Sequence, residues 1–407
     1  MSQAKLRKWL YFALMSLRGQ PIGAHYQRYV HEDRHGIPPD TTRRQLIRLL
    51  SHCQQNVPSY AGLMRTLGGS FQEDPEAYLE RLPILTRDML RSHFDELKSA
   101  DLCRRRWYLE ATSGSTGEAV RFIQDREFAG QGTALTLLYS SLAGREPGER
   151  QVLIWGSMRD IQEGTESWRT RLVNRLTGTT FLNAFRMDPE RMRSFVIALN
   201  TIHPKLVIAY ADSMLELARF TERDGLAVIP QAAIMTSAGT LFPFIRETVE
   251  RVFQCKVFNR YGSREFGDIA CERPGCEGLW VAPWGNYVEI VDGEGRRVPD
   301  GVEGEIVVTS LINHAMPLVR YRIGDRGVLA PTGERRLPWR GQVLKAVLGR
   351  TVDFIRTDTG ALIHAGYFMY LLFRRPWVAK IQIVQTDLNR IVYRIVRTGS
   401  GDPLQAE

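Results

Sequence analysis

Short apolar runs alternate with amphipathic stretches over most of the chain before Glu265. The runs "QVLIWGS", "KLVIAYAD", "AAIMTSAG" and "KVFNRYG" are rich in β-branched and aromatic residues, and each ends in a small or polar residue. Stretches with apolar residues at helical spacing separate them, such as "PERMRSFVIALNTI" and "SMLELARFTERDG". This alternation predicts a largely parallel α/β sheet, with binding sites at the carboxyl ends of its strands.

Helical spacing is clearest in the N-terminal part of the chain. In "TTRRQLIRLLSHCQQ", Leu46, Leu49 and Leu50 recur at intervals of three and one, which predicts helix within residues 41–67. Thr86 is placed to cap a helix that follows Pro83. The opening "KLRKWLYFALMSLRG" imitates a signal peptide but lacks a small-residue cleavage site, so we expect a first helix packed on the body.

The sequence pattern changes after Glu265, from alternating strand and helix patterns to strand patterns joined by short turns. The stretches "LWVAPWGNYVEIVDGEGRRV", "EGEIVVTSLI" and "PLVRYRIGDRGVLA" read as strands joined by Asp-Gly and Gly-Asp turns, which predicts an antiparallel or barrel-like unit. A boundary falls near "LGRTVDF". We therefore predict the α/β class, with a large domain over residues 1–348 that combines parallel α/β subdomains with a barrel-like unit. A small α+β lid follows over residues 349–407.

Composition and charge narrow the function classes. The chain has 407 residues, a net charge of +9 and basic clusters such as "LCRRRW" and "LFRRPW". Nucleic acid or an anionic membrane surface is one reading, but no helix-turn-helix, zinc-finger or RNP-like pattern supports it. We expect a solvated basic surface, with some arginines holding an anionic cofactor, and no nucleic-acid partner. The sequence contains no run of about 18 apolar residues, so we expect no transmembrane helix. Its five cysteines are scattered, which is typical of a protein in a reducing cytoplasm.

The stretch "ATSGSTGEAVRF" concentrates small hydroxyl residues around two glycines. Glycine lets a ligand approach the backbone closely, consecutive N–H groups in such a turn bind anions, and the hydroxyls add donors. The flanking "RWYLEA" and "AVRFI" alternate like strands, which predicts a hairpin-type phosphate loop. It is neither a Walker loop nor a dinucleotide fingerprint. By itself, a Ser/Gly-rich turn explains the pattern equally well.

Three further stretches favour a nucleotide site. "NRYGSREFG" ends a strand with Tyr261, a flat face for a purine, and then Glu265, a carboxylate suited to Mg²⁺. "VRYRIGDRG" places Asp325 at a strand end, where one carboxylate can accept from both hydroxyls of a ribose. "GRTVDF" places Arg350 where the chain leaves the large domain. Each stretch also reads as an ordinary turn when taken singly.

In this order, the motifs resemble those of the adenylate-forming enzymes, the superfamily of acyl-CoA synthetases, nonribosomal peptide adenylation domains and luciferases. Within it, the chain is most similar to the phenylacetate–coenzyme A ligase group and its capsule-biosynthesis relatives. The motifs are "TSGSTG" (Thr112–Gly117), "TSAGT" (Thr236–Thr240), "YGSRE" (Tyr261–Glu265), "RYRIGD" (Arg320–Asp325) and "GRTVD" (Gly349–Asp353).

The resemblance implies an ATP- and Mg²⁺-dependent ligase that makes an acyl-adenylate from a carboxylic acid and passes the acyl group to CoA or another nucleophile. It implies Glu265 as the Mg²⁺ ligand and, with Thr116 and Arg350, as part of the catalytic set. Asp325 would bind ribose, and Arg350 would reach ribose or phosphate. The residues implied for the phosphates are Thr112, Ser113, Gly114, Ser115, Thr116 and Gly117, and those for adenine are Ser237, Ala238, Gly239, Tyr261 and Gly262.

Two further assignments keep their alternatives. Trp155, Tyr210 and Phe258 lie near predicted strand ends and are candidates for an acyl pocket, although aromatic residues there also serve as plain core. Cys271 and Cys276 have a spacing that a structural zinc site can use. Two reduced thiols in a loop explain them more simply. The acid, possible aromatic character included, and the acceptor are not readable from the sequence, which also leaves a homodimer open.

The chain departs from the superfamily pattern in its last part. Val352 stands at the hinge position, and the small domain ends before the lysine that contacts the carboxylate and α-phosphate in relatives, since Lys380 lies too early. We therefore expect a truncated lid and weak adenylation by this chain alone. The alternatives are a non-catalytic or partner-completed nucleotide-binding homologue, or an adenylating enzyme with an amine acceptor or a non-carboxylate oxyanion substrate.

Overall fold

The computed structural model describes residues 2–112, 120–156, 168–184, 187–331, 340–350, 354–356, 362–364 and 378–397. The chain divides into two compact units. The first comprises Met1–Ile323 and Gly327–Val347, and the second comprises Gly324–Arg326 and Leu348–Glu407.

Six helices of the described chain precede the first strand. They are α1 (Gln3–Leu17), α2 (Ile22–His35), α3 (Thr41–Asn56), α4 (Pro58–Leu67), α5 (Pro75–Glu80) and α6 (Arg87–Ser92). The expected first helix packs on the body through Tyr11 and Met15. The predicted helix of residues 41–67 is present but is broken at Val57, because the following Pro58 disfavours helical geometry in the residue before it.

Apolar spacing and capping residues explain which face of α3 is buried and where α6 begins. Leu46, Leu49 and Leu50 are all fully buried on one face of α3, as their spacing predicts. The Thr86 hydroxyl accepts a hydrogen bond from the Met89 backbone N–H at 3.2 Å, which confirms the predicted cap of α6. A 3₁₀ turn, Leu102–Arg104, then leads into the sheets.

The middle of the first unit alternates strands and helices, as the sequence predicts. An antiparallel hairpin, β1 (Trp107–Ala111) and β2 (Arg121–Asp125), comes first. The strands that follow are β3 (Gln151–Trp155), β4 (Thr179–Asn183), β5 (Leu206–Tyr210), β6 (Ile234–Ser237) and β7 (Val257–Ser263), and they pair in parallel in the order β4-β3-β5-β6-β7. The helices between them are α7 (Arg126–Leu142), α8 (Trp168–Thr177), α9 (Pro189–Ile202), α10 (Ala211–Arg223) and α11 (Pro243–Phe253).

The strands after Glu265 continue the same sheet. They are β8 (Gly267–Glu272), β9 (Leu279–Val281), β10 (Asn286–Val291), β11 (Glu303–Ser310), β12 (Tyr321–Leu329) and β13 (Gln342–Arg350). In the described residues, eleven strands form one sheet in the order β10-β11-β12-β13-β9-β8-β7-β6-β5-β3-β4. The expected α/β class is confirmed, and the barrel-like unit takes the form of an antiparallel extension of the parallel strands rather than a sheet of its own.

Two apolar clusters in the first unit bury the sheet. One joins α3–α6 to the strands after Glu265, and the other joins α1, α2 and α7 to β5, β6 and the Trp280–Trp284 segment. The second unit contributes two antiparallel pairs, β14 (Phe354–Arg356) with β15 (Leu362–His364) and β16 (Val378–Asp387) with β17 (Arg390–Arg397). Among the described residues, no helix is both long and apolar enough to cross a membrane.

Candidate active site

The carboxyl ends of the parallel strands bring three candidate residues to one edge. Tyr210 pairs in register with Ser237, and β3 aligns with β5 so that Trp155 ends beside Tyr210. The rings of Trp155 and Tyr210 lie 4.1 Å apart with a tilt of 30°. The Tyr210 hydroxyl donates to the Gly156 carbonyl at 2.6 Å, which ties the end of β5 to the residue after β3.

This aromatic pair lies where the strand order reverses. From β3 the chain moves outward to β4 and then returns to place β5 on the other side of β3. Such a switch point leaves a crevice outside the carboxyl ends of the two strands, and ligands of open α/β sheets bind there. Trp155 and Tyr210 therefore stand at the natural binding crevice of this sheet.

The segment after β6 has an unusual backbone. Ser237 is buried, and Ala238 adopts a left-handed conformation with φ of 55°. A non-glycine residue in this region is strained, and such strain concentrates at functional sites. A Cβ placed on Gly239 would lie 3.9 Å from the Asp212 carboxylate, and burial raises the pKa of Asp212. Sequence reasoning missed Asp212, because a carboxylate in the first turn of a helix is ordinary.

Hydrogen bonds tie the β1–β2 hairpin to the turn between β7 and β8, which carries Glu265. The buried Gln124 donates through Nε2 to the backbone carbonyls of Arg264, at 2.9 Å, and Glu265, at 3.3 Å. Arg264 donates in return to the Ala111 carbonyl at 3.2 Å. Thr112 closes the hairpin through its Oγ1, which accepts from the Val120 N–H at 3.1 Å.

The predicted hairpin is therefore present, and its described residues, Thr112 among them, are tied to the turn of Glu265. Of the predicted phosphate loop, Thr112 is described. The other candidates, Ser113, Gly114, Ser115, Thr116 and Gly117, lie outside the described residues.

Glu265 lies in a charged environment although it is almost fully buried, with 3% of its surface exposed. Burial, followed by the neighbouring Glu265 carboxylate, raises the pKa of Tyr321 to about 12, while Arg87 and Arg91 act in the opposite direction. The two arginines come from α6. The Glu265 carboxylate and the guanidinium groups of Arg87 and Arg91 therefore all lie near enough to the Tyr321 phenol to affect its ionisation.

The glycine before this turn is required by packing. β7 contains a bulge between Tyr261 and Gly262, and a Cβ at Gly262 would lie 2.5 Å from the Gly267 carbonyl oxygen. No side chain fits at that distance. Tyr261 packs against the first apolar cluster.

A cavity of about 190 Å³ lies between α7 and strands β3, β5 and β7, and it runs along β3 from Gln151 to Trp155. Trp155 lines it, whereas Phe258 lies beside Met235 and packs against the second apolar cluster. The cavity wall also includes Arg260, whose guanidinium pairs with Asp268. Sequence reasoning missed Arg260, because an arginine inside an apolar strand shows no signal until the opposing strand and helix are known.

Asp325 and Arg350 lie together within the second unit. The Arg350 Nε is 3.9 Å from the Asp325 Oδ1, and Asp325 is the more buried of the two. Two motifs that are far apart in the sequence therefore form one charged pair.

The two zinc candidates lie in and against the apolar core. Cys271 is fully buried, and burial raises the pKa of its thiol well above the ordinary range and also raises the pKa of Cys276. Zinc binds the thiolate, which burial disfavours. The described part of the chain contains no group of three or more potential ligands around them. The simpler interpretation, two reduced thiols, agrees with these surroundings.

No family model matches the chain. The chain is 24% identical to Protein CapK of Staphylococcus aureus over 362 residues, which cover 86% of this chain and 77% of that protein. It is 39% identical to a phenylacetate-coenzyme A ligase of Aromatoleum evansii over 102 residues, which cover 25% of this chain and 22% of that enzyme.

Among solved structures, the fold is similar to that of 2-hydroxyisobutyryl-CoA ligase in its postadenylation state in complex with R3-HIB-AMP. The TM-score is 0.68 at 16% identity, and the match covers 88% of this chain and 78% of the ligase. The chain therefore has the fold of the adenylate-forming enzymes, and its resemblance to the phenylacetate–coenzyme A ligase group and its capsule-biosynthesis relatives is confirmed.

Proposed function

We propose that this chain is an ATP-dependent adenylate-forming ligase. A carboxylate oxygen of an acid attacks the α-phosphorus of ATP, the bond from that phosphorus to the bridging oxygen breaks, and pyrophosphate leaves with its electron pair to give acyl-AMP. One observation carries the proposal: Gln124 and Arg264 tie the hairpin of the Ser/Thr-Gly loop to the turn of Glu265. Phosphoryl-type chemistry needs this positioning of donors and charge more than it needs a protein base.

The residue roles follow from this arrangement and from the resemblance. The loop that begins at Thr112 holds the phosphates, and Tyr261, Gly262 and the Ser237–Gly239 segment flank the adenine. The Asp325–Arg350 pair binds ribose and phosphate, which its mutual proximity supports. Glu265 and Arg350, with Thr116 of the loop, form the catalytic set.

The residues around Glu265 fit a magnesium ion. Mg²⁺ in nucleotide sites is held by one or two carboxylates together with the phosphates of the substrate, so a single buried carboxylate beside a phosphate loop suffices. Bound there, the ion would neutralise phosphate charge. Glu265 would hold it, and Arg87 and Arg91, which like Glu265 lie near the Tyr321 phenol, would add positive charge to the same part of the first unit.

The acyl acceptor is the finer part of the proposal. The ligase of similar fold and the partial relative are both named for acyl-CoA formation, so we propose the CoA thiol as acceptor, with a nitrogen nucleophile as the alternative. We place the reaction in the cytoplasm. The rival hypothesis is a nucleotide-binding protein that performs no chemistry.

A panel of acids with ATP, Mg²⁺ and hydroxylamine tests the proposal. Hydroxamate and pyrophosphate should appear together, in equal amounts, for at least one acid. Glu265→Gln should lower that turnover about a hundredfold without a matching loss of thermal stability, because it removes the metal ligand. Glu294→Gln, in an exposed ion pair with Arg296, is the matched control and should keep full activity. ATP binding without pyrophosphate release for any acid would favour the non-catalytic rival.

A further inference from the structure

The wall of the cavity between α7 and strands β3, β5 and β7 includes a buried cation with unused hydrogen-bonding capacity. Arg260 is about nine-tenths buried, and its Nη1 lies 3.4 Å from the Asp268 Oδ2. Its Nε is buried and has no hydrogen-bond partner in the described part of the chain. An unsatisfied buried donor costs about 1–3 kcal/mol, and more for a charged group, so a ligand that accepts from it gains correspondingly.

The cavity wall carries excess positive charge. Arg145, the second guanidinium of the lining, donates to the backbone carbonyls of Glu149 and Thr177. Burial lowers the pKa of Arg145 to about 10, which leaves it charged at neutral pH, while the nearby Glu149 carboxylate acts on that pKa in the opposite direction. Within the described ranges, no carboxylate lies within ion-pair distance of Arg145.

Among the residues that the structure describes, the carboxylate that pairs with Arg260 is that of Asp268, and it is shared with another donor. The Asp268 Oδ2 also accepts from the Thr136 hydroxyl at 2.6 Å, a shorter contact than the one it makes with Arg260. Of the two hydrogen bonds that the Asp268 Oδ2 accepts, the one from Arg260 is therefore the longer and weaker. An incoming anion would complete the coordination of its guanidinium.

The size and position of the cavity fit the acyl part of a small acid. A cavity of roughly 150 Å³ accommodates benzene, so 190 Å³ holds one ring or a chain of a few carbons with a polar end. Leu137, Leu153 and Ile208 give apolar walls, and Trp155 marks the switch-point crevice. Arg260 lies on β7, the strand that also carries Tyr261 of the proposed adenine site.

We propose that this cavity binds the acyl part of the substrate and that Arg260 selects acids with a second carboxylate at the end remote from the one that is activated. The inference rests on the proposed ligase function, and it names the substrate class as small dicarboxylic acids with an apolar middle. In that class, the apolar walls contact the middle of the molecule while Arg260 binds its distal carboxylate.

Matched pairs of acids test the selection. Glutarate is compared with pentanoate, and 4-carboxyphenylacetate with phenylacetate, by pyrophosphate release with ATP and hydroxylamine. For the better pair, kcat/KM should favour the diacid at least about tenfold, the range expected for one hydrogen bond to a charged group. Arg260→Gln should abolish or reverse that preference, and Arg260→Lys should restore part of it.

Two further variants guard against misfolding. Arg260→Met combined with Asp268→Asn removes both charges, so no buried carboxylate is left unpaired. Arg246→Gln breaks a comparable partly buried ion pair with Glu272 outside the cavity, and it should leave the preference within about twofold. Calorimetric binding of each acid pair to the wild type and the double variant gives a readout that needs no turnover.

The outcomes separate the two proposals. Turnover of monoacids and diacids at equal efficiency, unchanged in Arg260→Gln, would overturn the selection and leave the ligase function standing. Arg260-dependent diacid binding with no pyrophosphate from any acid would support the cavity assignment and overturn the ligase function. Weaker binding of diacids than monoacids to the wild type would overturn the cavity assignment directly.

Discussion

A residue of a ligand-binding motif can also stabilise the fold. Arg320 is an example, and its structural role is not visible in the sequence. It opens the "RYRIGD" motif, yet its guanidinium is buried against Glu289, with N–O distances near 3.1 Å, and donates to the carbonyls of Glu80 and Leu82. These partners lie far away in the sequence, on β10 and around the end of α5. Local pattern reasoning identifies the motif, but it cannot find contacts that exist only after folding.

Arg320→Met should therefore destabilise the protein strongly. It leaves the Glu289 carboxylate buried and unpaired, which typically costs about 3–5 kcal/mol in the free energy of unfolding. Urea denaturation measures the loss. Adding Glu289→Met removes the orphaned charge and should recover more than half of it. A single variant with wild-type stability would show that the pair contributes nothing to the fold.

His314 gives the stability of the fold a defined response to acid. Burial, with His52 and Arg105 nearby, lowers the pKa of His314 to about 4, and the hydrogen bond to the Ile312 backbone and the Asp125 carboxylate act in the opposite direction. The folded state keeps His314 neutral, whereas the unfolded state protonates it below its ordinary pKa of about 6.5. The free energy of unfolding should thus fall between about pH 6.5 and pH 4, by up to about 1.4 kcal/mol per pH unit.

Urea denaturation at several pH values checks this. His314→Gln should flatten the slope in that window, and His31→Gln, exposed on α2, should leave it unchanged. The His52 ring lies 5.1 Å from His314, and burial also lowers the pKa of His52, so some slope should persist in His314→Gln. An identical slope in His314→Gln and the wild type would assign the whole effect to other groups.

At the scale of elements, the sequence predicts what is local and misses what joins elements. The helix of residues 41–67, the Thr86 cap, the β1–β2 hairpin and the parallel strands follow from periodicity and turn chemistry, and all are present. The contacts that join these elements to one another cannot be predicted in this way. Gln124 sits in β2 like any polar strand residue, and its role appears only when the β7–β8 turn lies against it.

Gln124→Leu should detach the hairpin from that turn. The change roughly keeps the side-chain volume and removes the donor to the Arg264 and Glu265 carbonyls, so β2 of the hairpin is no longer fixed to the turn of Glu265. Affinity for Mg·ATP, measured by calorimetry, should fall about tenfold. Gln231→Leu removes another buried glutamine, far from the hairpin in the sequence, and is the control for lost stability. Equal loss of affinity in both variants would argue against a positioning role.

At the scale of the whole molecule, strand order is the property that the sequence could not supply. Alternation predicts a parallel sheet, but it does not say that β5 returns to the far side of β3 and so creates the crevice beneath Trp155 and Tyr210. Nor does it show that the strands after Glu265 extend the same sheet. Both depend on pairings between distant segments, whereas turn signals report only their immediate neighbours.

The distribution of buried apolar residues predicts that the first unit can fold without most of the second. Within the described ranges, both apolar clusters consist of residues from the first unit, so the packing seen there to hold the large sheet does not draw on residues beyond β13. A fragment of residues 1–350, which keeps β13 whole, should unfold cooperatively, with a midpoint within about 5 °C of the full chain. Thermal unfolding by circular dichroism and calorimetry measures this.

That fragment also tests the sequence-based boundary between residues 348 and 349, which stays a prediction. It retains the hairpin, the Glu265 turn and the Arg260 cavity, so it should still bind nucleotide. It lacks the rest of the second unit, the lid predicted from the sequence, so turnover should fall by far more than nucleotide binding. A fragment that aggregates or melts without cooperativity would mean that the core extends past Arg350, and the boundary would have to move toward the end of the chain.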